Sequence, residues 1–191
     1  MNSSQKNLLI ELYKLPQTVF TLGEVAMITN ASDVALLAQR LNYNVRKGRL
    51  LNPRKGIYAK PGYNPEELAC LLYTPSYLSL EYVLQRAGVI FQYYSELTAV
   101  SYLSREVQID GNTLKYRRLK GELLAATDGI IRKGNLNIAT PERAFLDVMY
   151  LNSEYYFDNL RPLDVRKVKQ LLHIYDIRKM EQRVMILFNN Q

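Results

Sequence analysis

Residues 22–59 of the chain read LGEVAMITNASDVALLAQRLNYNVRKGRLLNPRKGIYA. The spacing of the apolar side chains predicts a short helix, a polar break over residues 29–32 and a longer second helix. Thr21 is the expected N-cap of the first helix, and either Asn30 or Ser32 is positioned to cap the second. Gly48 is expected to end the second helix, because a residue without Cβ easily adopts the left-handed conformation found at helix ends.

The second helix is expected to be amphipathic. Its apolar side chains recur at intervals of three and four residues and predict one buried stripe, formed by Val34, Leu37, Leu41 and Val45. The remaining faces are largely polar and carry Ser32, Asp33, Gln39, Arg40, Tyr43, Asn44, Arg46 and Lys47. One side of this helix therefore faces a core, and the other offers amide and charged groups to solvent or to a partner.

Two short strands, over residues 49–52 and 56–59, are expected next, joined by a basic turn that contains Arg54 and Lys55. The order helix, turn, helix and basic hairpin is typical of a winged helix-turn-helix. In that fold the second helix enters the DNA major groove and the hairpin, or wing, lies against the backbone. The alternative interpretation is a small helical bundle whose charges merely face water.

The charge distribution favours DNA binding over that alternative. The chain of 191 residues carries a net charge of +7, and the excess is uneven. Residues 1–62 hold nine Lys and Arg against three Asp and Glu, whereas residues 63–191 hold 16 against 15. A surface that contacts phosphates requires such a local concentration of positive charge. We therefore expect a polyanionic partner for the first 62 residues.

The pattern of elements predicts two domains. We expect a winged helix-turn-helix over residues 1–62, with a first helix over 4–15, and an α+β domain over residues 63–191, with a tight linker at 60–65. In the second domain the expected helices lie at 66–73, 79–87, 141–151, 164–175 and 178–188, with Ser79 and Thr140 as caps of the second and third.

The strands of the second domain are expected to pair as hairpins. They lie at residues 97–103, 107–109, 114–119, 129–132 and 136–139. Asp110–Gly111–Asn112 and Lys133–Gly134–Asn135 are typical hairpin turns between them. The expected fold is α+β, with a mixed second domain in which antiparallel hairpins are covered by helices.

Few residues are available for catalysis or metal binding. His173 and Cys70 are the single histidine and cysteine, so one chain cannot supply the nitrogen and sulfur ligands of a zinc site. No glycine-rich phosphate loop is present, and no Asp or Glu stands two residues before a lysine, as the usual strand motif of metal-dependent nucleases requires. We expect a protein that is not an enzyme and needs neither cofactor nor metal.

The sequence also bears on where the protein works. No signal peptide opens the chain, and no apolar run approaches the length of a membrane span. We expect a cytoplasmic protein with no membrane partner.

Two aromatic runs and one basic strand leave alternatives open. The runs Phe91–Tyr94 and Tyr155–Phe157 form a surface for a partner or for stacked single strands, or they fill the rim of the α+β core. The strand LKYRRLKG carries four cationic side chains, Lys115, Arg117, Arg118 and Lys120, and alternation places Lys115 and Arg117 on one face. These four either extend a DNA footprint or contact an acidic partner.

Four stretches of the chain resemble a known family. They are GIYAKPG at 56–62, YLSLEYVLQRAGVI at 77–90, TAVSYLSREVQIDGNTLKYRRLKGEL at 98–123 and IATPERAFLDVMYLN at 138–152. With the N-terminal winged helix, their order and spacing over about residues 5–155 resemble the AbiEi-type antitoxins. These are transcriptional regulators encoded beside a nucleotidyltransferase-like toxin in bacterial toxin–antitoxin and abortive-infection systems. The most specific pieces are the YLS-x-E-Y-x-L helix entry, the strand 111–119 and the helix 141–147.

The resemblance implies three properties. The winged helix binds the protein's own promoter and represses it. The C-terminal domain neutralises the toxin and helps DNA binding to be cooperative. The protein works in a bacterial cytoplasm.

The leading hypothesis is a sequence-specific repressor that doubles as an antitoxin. The candidate contacts to base edges are Ser32, Asp33, Gln39 and Arg40, and the candidate phosphate contacts are Arg46, Lys47, Arg49, Arg54 and Lys55. The expected partners are double-stranded DNA and a cognate nucleotidyltransferase-like toxin. Two alternatives stay open: a protein-interaction module that never binds DNA, and a metal-dependent nuclease.

Overall fold

The computed structural model describes residues 3–189, with side chains from Leu8 onward. An N-terminal unit (residues 3–59) contains three helices and three strands: α1 (Ser3–Lys14), β1 (Val19–Thr21), α2 (Leu22–Ile28), α3 (Val34–Arg46), β2 (Leu51–Arg54) and β3 (Ile57–Ala59). The strands form one antiparallel sheet in the order β1-β3-β2. Strand β1 is not anticipated by the sequence pattern, because three residues are too few to show a period.

Local side-chain hydrogen bonds define where α2 and α3 begin. Thr21 caps α2 as predicted, and Glu24 completes a capping box by accepting from the Thr21 amide at 2.7 Å. The predicted cap of α3 is wrong: the cap is Asp33, whose carboxylate accepts from the Leu36 amide at 2.9 Å, and not Asn30 or Ser32. Gly48 follows α3 with a φ of +67°, as expected for the residue that ends a helix.

The N-terminal unit has its own small core. It comprises Leu8, Leu12, Phe20, Val25, Leu37, Leu41, Leu50 and Tyr58. The predicted stripe on α3 is partly wrong, because Val34 is exposed and Asn44 is fully buried. At 3.6 residues per turn, Leu37, Leu41 and Asn44 lie within an arc of about 60°, whereas Val34 lies at its edge.

The C-terminal unit (residues 65–189) surrounds a six-stranded sheet. Its elements are α4 (Pro65–Leu72), β4 (Ser76–Leu78), α5 (Glu81–Arg86), β5 (Leu97–Ser101), β6 (Arg105–Ile109), β7 (Asn112–Arg118), α6 (Gly121–Ala125), β8 (Ile130–Lys133), β9 (Leu136–Ala139), α7 (Pro141–Leu151), α8 (Val165–Leu171), a 3₁₀ turn (Leu172–Ile174) and α9 (Arg178–Asn189). The fold class is mixed α and β, as predicted. The sequence did not predict β4 or α6.

The large sheet is mixed, which corrects the expectation of antiparallel hairpins alone. Its strand order is β6-β7-β5-β4-β9-β8. The pairs β6–β7, β8–β9 and β4–β5 are antiparallel, but β5 pairs with β7 and β4 pairs with β9 in parallel. Turn residues indicate only pairs that are adjacent in sequence, so the two parallel pairs, which need long connections, left no local signal.

The predicted helix over residues 79–87 is also corrected. Helix α5 spans Glu81–Arg86, and Leu80 precedes it with a φ of +61° and no side-chain cap. The Ser79 hydroxyl donates instead to the buried carboxylate of Asp147 at 2.7 Å. Thr140 caps α7 as predicted, by accepting from the Arg143 amide.

Helices cover both faces of the sheet. On one face the Tyr116 hydroxyl on β7 donates to the Ala69 carbonyl on α4, at 2.8 Å. On the other face Thr98 on β5 accepts from the Tyr82 amide on α5, at 3.0 Å. Helix α7 packs beside α5 on that second face. No helix within residues 3–189 has the length and apolar character needed to cross a membrane.

The two units are in direct contact. Oε2 of Glu67 on α4 accepts from the backbone amides of Thr18 at 2.7 Å and Val19 at 3.0 Å. The Asn135 side chain, in the β8–β9 turn, donates to the Val19 carbonyl at 2.7 Å. Val19, Ile57 and Ala59 also pack into the large core of the C-terminal unit. These contacts fix how the N-terminal unit sits on α4 and on the β8–β9 hairpin.

The predicted linker at 60–65 is an ordered connection in which Lys60 donates to the Leu15 carbonyl at 2.6 Å and Asn64 caps α4. The division into domains at residue 62 stays a prediction. Residues 1–2 and 190–191, which the two predicted domain ranges include, lie outside the described residues.

Candidate nucleic-acid interface

The outward face of α3 is polar. Gln39, Asn42 and Arg46 recur at intervals of three and four residues on the side opposite Leu37 and Leu41, and all three are exposed. Asn42 accepts from the Tyr58 hydroxyl at 3.2 Å, which leaves its amide N–H groups available. Asn42 was not among the predicted contacts, although its spacing from Gln39 places both on one face. The helix thus presents two amides and a guanidinium in a row.

The four predicted base contacts do not share one face. Ser32 and Asp33 are exposed at the N-terminal end of α3, where one oxygen of Asp33 serves as the cap. Gln39 lies on the outward face. Arg40 is half-buried and lines a cavity of about 540 Å³ together with Glu11 of α1, away from Gln39. The geometry therefore brings Arg40 together with Ser32 and Asp33, which line the same cavity, and separates these three residues from Gln39.

Most of the predicted phosphate contacts lie at the C-terminal end of α3 and in the β2–β3 hairpin. Arg46 and Lys47 are exposed at the helix end, where the helix dipole also favours positive charge. Arg49 is half-buried, and its carbonyl accepts from the Tyr13 hydroxyl at 2.9 Å, which ties the start of the hairpin to α1. Lys55 is exposed at the hairpin turn.

Arg54 is not a free cation at the hairpin tip. Its guanidinium donates to the Tyr73 hydroxyl at 2.8 Å and lies 5.0 Å from the centre of the Tyr73 ring. Tyr73 packs edge-on against Tyr116 of β7, with ring centres 4.8 Å apart. One of the five N–H donors of Arg54 is thus used to hold the hairpin against the C-terminal unit.

The four cations of the LKYRRLKG strand point in two directions. Lys115 and Arg117 are exposed and alternate with buried Leu114 and Tyr116, so they share a face as predicted. Arg117 lies near Glu81 and Tyr155, on the side of the sheet that α5 and α7 cover. Lys115 and Arg117 thus face away from α4 and the N-terminal unit.

Arg118 belongs to the opposite face. Its register partner on β5 is Ser101, whose hydroxyl donates to the Tyr73 carbonyl at 2.9 Å. Arg118 therefore shares the face of Tyr116 and lies close to the residue that holds Arg54. Lys120 is exposed directly after the strand.

A third arginine, which the sequence did not single out, joins this region. Arg105 on β6 is exposed and is the register partner of Tyr116. Arg54, Arg105 and Arg118 thus surround the Tyr73–Tyr116 pair, and we call these three residues the arginine band. The two salt bridges among residues 8–189 join other side chains, so no ion pair neutralises the band.

A second cluster of ionisable groups lies deep in the C-terminal unit. Arg143 and Asp147 on α7 are fully buried. The Asp147 carboxylate accepts from the hydroxyls of Ser79, Tyr77 and Tyr175 at 2.7, 3.0 and 2.6 Å. Burial raises the pKa of Asp147, and the Arg143 guanidinium opposes that shift. The cluster has a full set of partners and is structural.

Arg143 fixes several elements through its other N–H groups. It donates to the carbonyls of Asp128 at 3.1 Å and Leu123 at 2.7 Å, and to the Tyr77 hydroxyl at 2.9 Å. The Pro141–Asp147 motif, which carries part of the family resemblance, thus supplies the charged pair that joins α7 to β4, α6 and the C-terminal helices.

The other candidate reactive side chains are isolated. Cys70 is 2% exposed and donates to the Asn137 carbonyl, and burial raises the pKa of its thiol to about 11. His173 lies exposed in the 3₁₀ turn. Across residues 3–189, no three or more His, Cys, Asp and Glu side chains gather in a way that could hold a metal ion.

No protein-family model matches the chain, and no curated protein matches it either.

Proposed function

We propose that the protein is a sequence-specific DNA-binding regulator whose N-terminal unit is a winged helix-turn-helix. The observation that carries the proposal is the outward face of α3, where Gln39, Asn42 and Arg46 lie in a row beside the basic β2–β3 hairpin. The element order α1-β1-α2-α3-β2-β3, with β1 completing a small antiparallel sheet, supports the assignment.

The side chains on α3 suit the edges of base pairs. An α-helix fits the major groove, and Asn and Gln amides pair in bidentate fashion with the N6 and N7 atoms of adenine. Gln39 and Asn42 are therefore the primary readers in this proposal, with Ser32 and Asp33 at the helix N-terminus as secondary contacts. Arg40 lies on the α1 side of α3, in the cavity that Ser32 and Asp33 also line.

Phosphate contacts extend from α3 onto the C-terminal unit. Arg46, Lys47 and Lys55 lie at the helix end and the hairpin turn, and the arginine band continues from the hairpin across Tyr73. A row of guanidinium groups without an ion-pair partner among residues 8–189 is suited to contacts with the DNA backbone, because each neutralised phosphate releases counterions. Lys115 and Arg117 lie outside this footprint, because they occupy the other face of the sheet.

The biological role follows from the resemblance to the AbiEi-type antitoxins. In this proposal the protein represses its own promoter in a bacterial cytoplasm and counters a nucleotidyltransferase-like toxin. The basic N-terminal unit and the extended arginine band are consistent with the repressor half of that role.

The roles of the side chains on α3 can be separated by binding measurements. Fluorescence anisotropy would be recorded for the duplex upstream of the protein's own gene and for an unrelated duplex of equal length. Gln39→Ala should reduce the preference for the own duplex by about tenfold, as expected for loss of a bidentate base contact. Arg46→Ala should lower the affinity for both duplexes alike and reduce the slope of log affinity against log salt by about one. Unchanged preference in Gln39→Ala together with unchanged slope in Arg46→Ala would overturn the assignment of α3.

A further inference from the structure

Two loops of the C-terminal unit enclose a groove on the side of the sheet covered by α5 and α7. The segments 90–94 and 152–158 line a cavity of about 350 Å³. The Phe91 amide donates to the Asp158 carboxylate at 2.8 Å, and the Tyr94 amide donates to the Gln85 side chain at 3.1 Å. The Asn159 amide donates to the Val89 carbonyl at 3.0 Å. Hydrogen bonds at both ends thus hold the loops in place.

The groove has aromatic walls. Tyr94, Tyr155 and Tyr156 line it, and Tyr156 is 79% exposed. The adjacent Phe157 is buried against Phe145, with ring centres 4.8 Å apart. Within the Tyr155–Phe157 run, Phe157 therefore packs into the core, whereas the ring of Tyr156 lies in solvent. Filling the core does not explain the exposure of Tyr156.

Carboxylates accompany these rings. Glu154 and Asp158 line the groove, and the Glu154 carboxylate has no hydrogen-bond or ion-pair partner among residues 8–189. Burial, a hydrogen bond with Tyr94 and the negative charges of Glu81 and Asp158 raise the pKa of Tyr155. Among residues 8–189 no Lys or Arg lines the groove itself, and two arginines lie in adjoining depressions, Arg161 beyond Asp158 and Arg117 beyond Tyr155. The charged side chains that line the groove itself, Glu154 and Asp158, are thus both acidic, on a chain whose net charge is +7.

Aromatic rings together with carboxylates favour a positively charged ligand in the groove. Aromatic faces attract guanidinium and ammonium groups, and a nearby carboxylate adds a charge-assisted hydrogen bond. An arginine side chain can make both kinds of contact, because its planar guanidinium stacks on a tyrosine ring and pairs with a carboxylate. Single-stranded nucleic acid also stacks on tyrosine, but its phosphates are repelled by Glu154 and Asp158.

We propose that this groove docks an arginine-bearing segment of a protein partner. It lies between the loops that follow α5 and α7, whereas the N-terminal unit contacts Glu67 of α4 and Asn135 of the β8–β9 turn. A partner held there leaves α3 and the arginine band free. One chain can therefore hold a polyanion on one side and a basic protein segment on the other, and this inference stands whether or not the N-terminal unit binds DNA.

The test uses an arginine hexapeptide as the probe and the full chain labelled with ¹⁵N. Titration should give saturable shifts of the amide signals of residues 90–94 and 152–158. Tyr156→Ala and Glu154→Gln should each lower the affinity for the peptide by about tenfold, which corresponds to the loss of one good contact. Glu122→Gln, on the exposed start of α6, removes the same charge elsewhere and should leave the affinity unchanged.

A thymidine oligonucleotide provides the second arm of the test. Shifts confined to the groove with this probe, and absent with the peptide, would show a stacking surface for single strands and overturn the proposal. Equal peptide affinity in wild type and Glu154→Gln, or shifts spread over all exposed carboxylates, would also overturn it. Folding of each variant is checked by the dispersion of its own amide spectrum.

Discussion

Arg143 and Asp147 form an ion pair one turn apart on α7, with Nε 3.3 Å from Oδ1 and both side chains fully buried. Asp147→Ala leaves a buried guanidinium without its counter-charge and three hydroxyls without their acceptor. We expect the free energy of unfolding to fall by about 3–5 kcal/mol, as is typical when one partner of a buried pair is removed. Urea denaturation of the purified variant measures this loss.

An exposed ion pair supplies the control for that measurement. Arg86 and Glu66 are 2.9 Å apart, but the Arg86 side chain is 59% exposed, so solvent screens the pair. Arg86→Gln should change the free energy of unfolding by no more than about 1 kcal/mol. Equal losses in the two variants would mean that the α7 pair is not the buried support described here.

Glu67 joins the two units, and its removal should loosen them. In Glu67→Ala the amides of Thr18 and Val19 lose their acceptor, so we expect faster hydrogen exchange over residues 17–21 and a loss of about 1–3 kcal/mol. Glu67→Gln keeps one carbonyl acceptor and should show a smaller effect. Peptide-level hydrogen exchange would contradict the account if protection of this segment were the same in all three proteins.

Cys70 should report on unfolding. Its folded-state pKa of about 11, against the usual 9.0, lowers the thiolate fraction near neutral pH by about 100-fold, and burial blocks access as well. A thiol reagent at pH 8 should therefore label the native protein more than about 100-fold more slowly than the urea-unfolded chain. Rapid labelling of the native protein would contradict the described burial.

The raised pKa of Cys70 also makes the stability of the protein depend on pH, in a direction that can be predicted. The folded protein keeps the thiol proton up to a pKa of about 11, whereas the unfolded chain releases it near 9.0. The unfolded state therefore binds fewer protons over this interval, and the contribution of Cys70 to stability falls as the pH rises through it. Cys70→Ala should show a shallower alkaline loss of stability than the wild type.

Two neighbouring arginines on β7 offer a matched test of the proposed footprint. Arg118 shares the face of Tyr116 and belongs to the arginine band, whereas Arg117 lies on the other face. Arg118→Ala should weaken binding to every duplex and lower the salt slope by about one, and Arg117→Ala should leave both unchanged. Titration by fluorescence anisotropy at several salt concentrations measures both. A larger effect from Arg117→Ala would place the DNA on the opposite side of the sheet.

The ends of several elements could be predicted because their signals are local. Thr21 and Thr140 bond to amides within the first turn of their own helices, and Gly48 needs only its own backbone freedom. The turn Asp110–Gly111 closes the β6–β7 hairpin with both residues at positive φ. Such features depend on a few neighbouring residues, which the sequence shows directly.

Features that depend on distant residues could not be predicted in this way. The three-residue strands β1 and β4 exist because β3, β5 and β9 lie beside them, and they are too short to show a period of their own. The burial of Asn44 and of the Arg143–Asp147 pair runs against the usual preference of these residue types. Only the assembled core shows that they lie inside.

In the candidate interface, too, some residues could be predicted from local spacing and others could not. Gln39 and Arg46 lie on one helix, so helical spacing alone indicates that both face outward. The placement of Arg54 against Tyr73, and of Arg105 beside Tyr116, depends on contacts between separate elements and on strand register. The arginine band is therefore a product of the tertiary fold.

Binding to the protein's own upstream DNA tests the central proposal most directly. A gel-shift titration would compare that duplex with an unrelated duplex of equal length, at two salt concentrations. The account predicts tighter binding to the own duplex and a steep loss of affinity with salt. Equal affinity for both duplexes would contradict sequence-specific recognition by α3, and no binding to either at low salt would contradict the proposed DNA interface altogether.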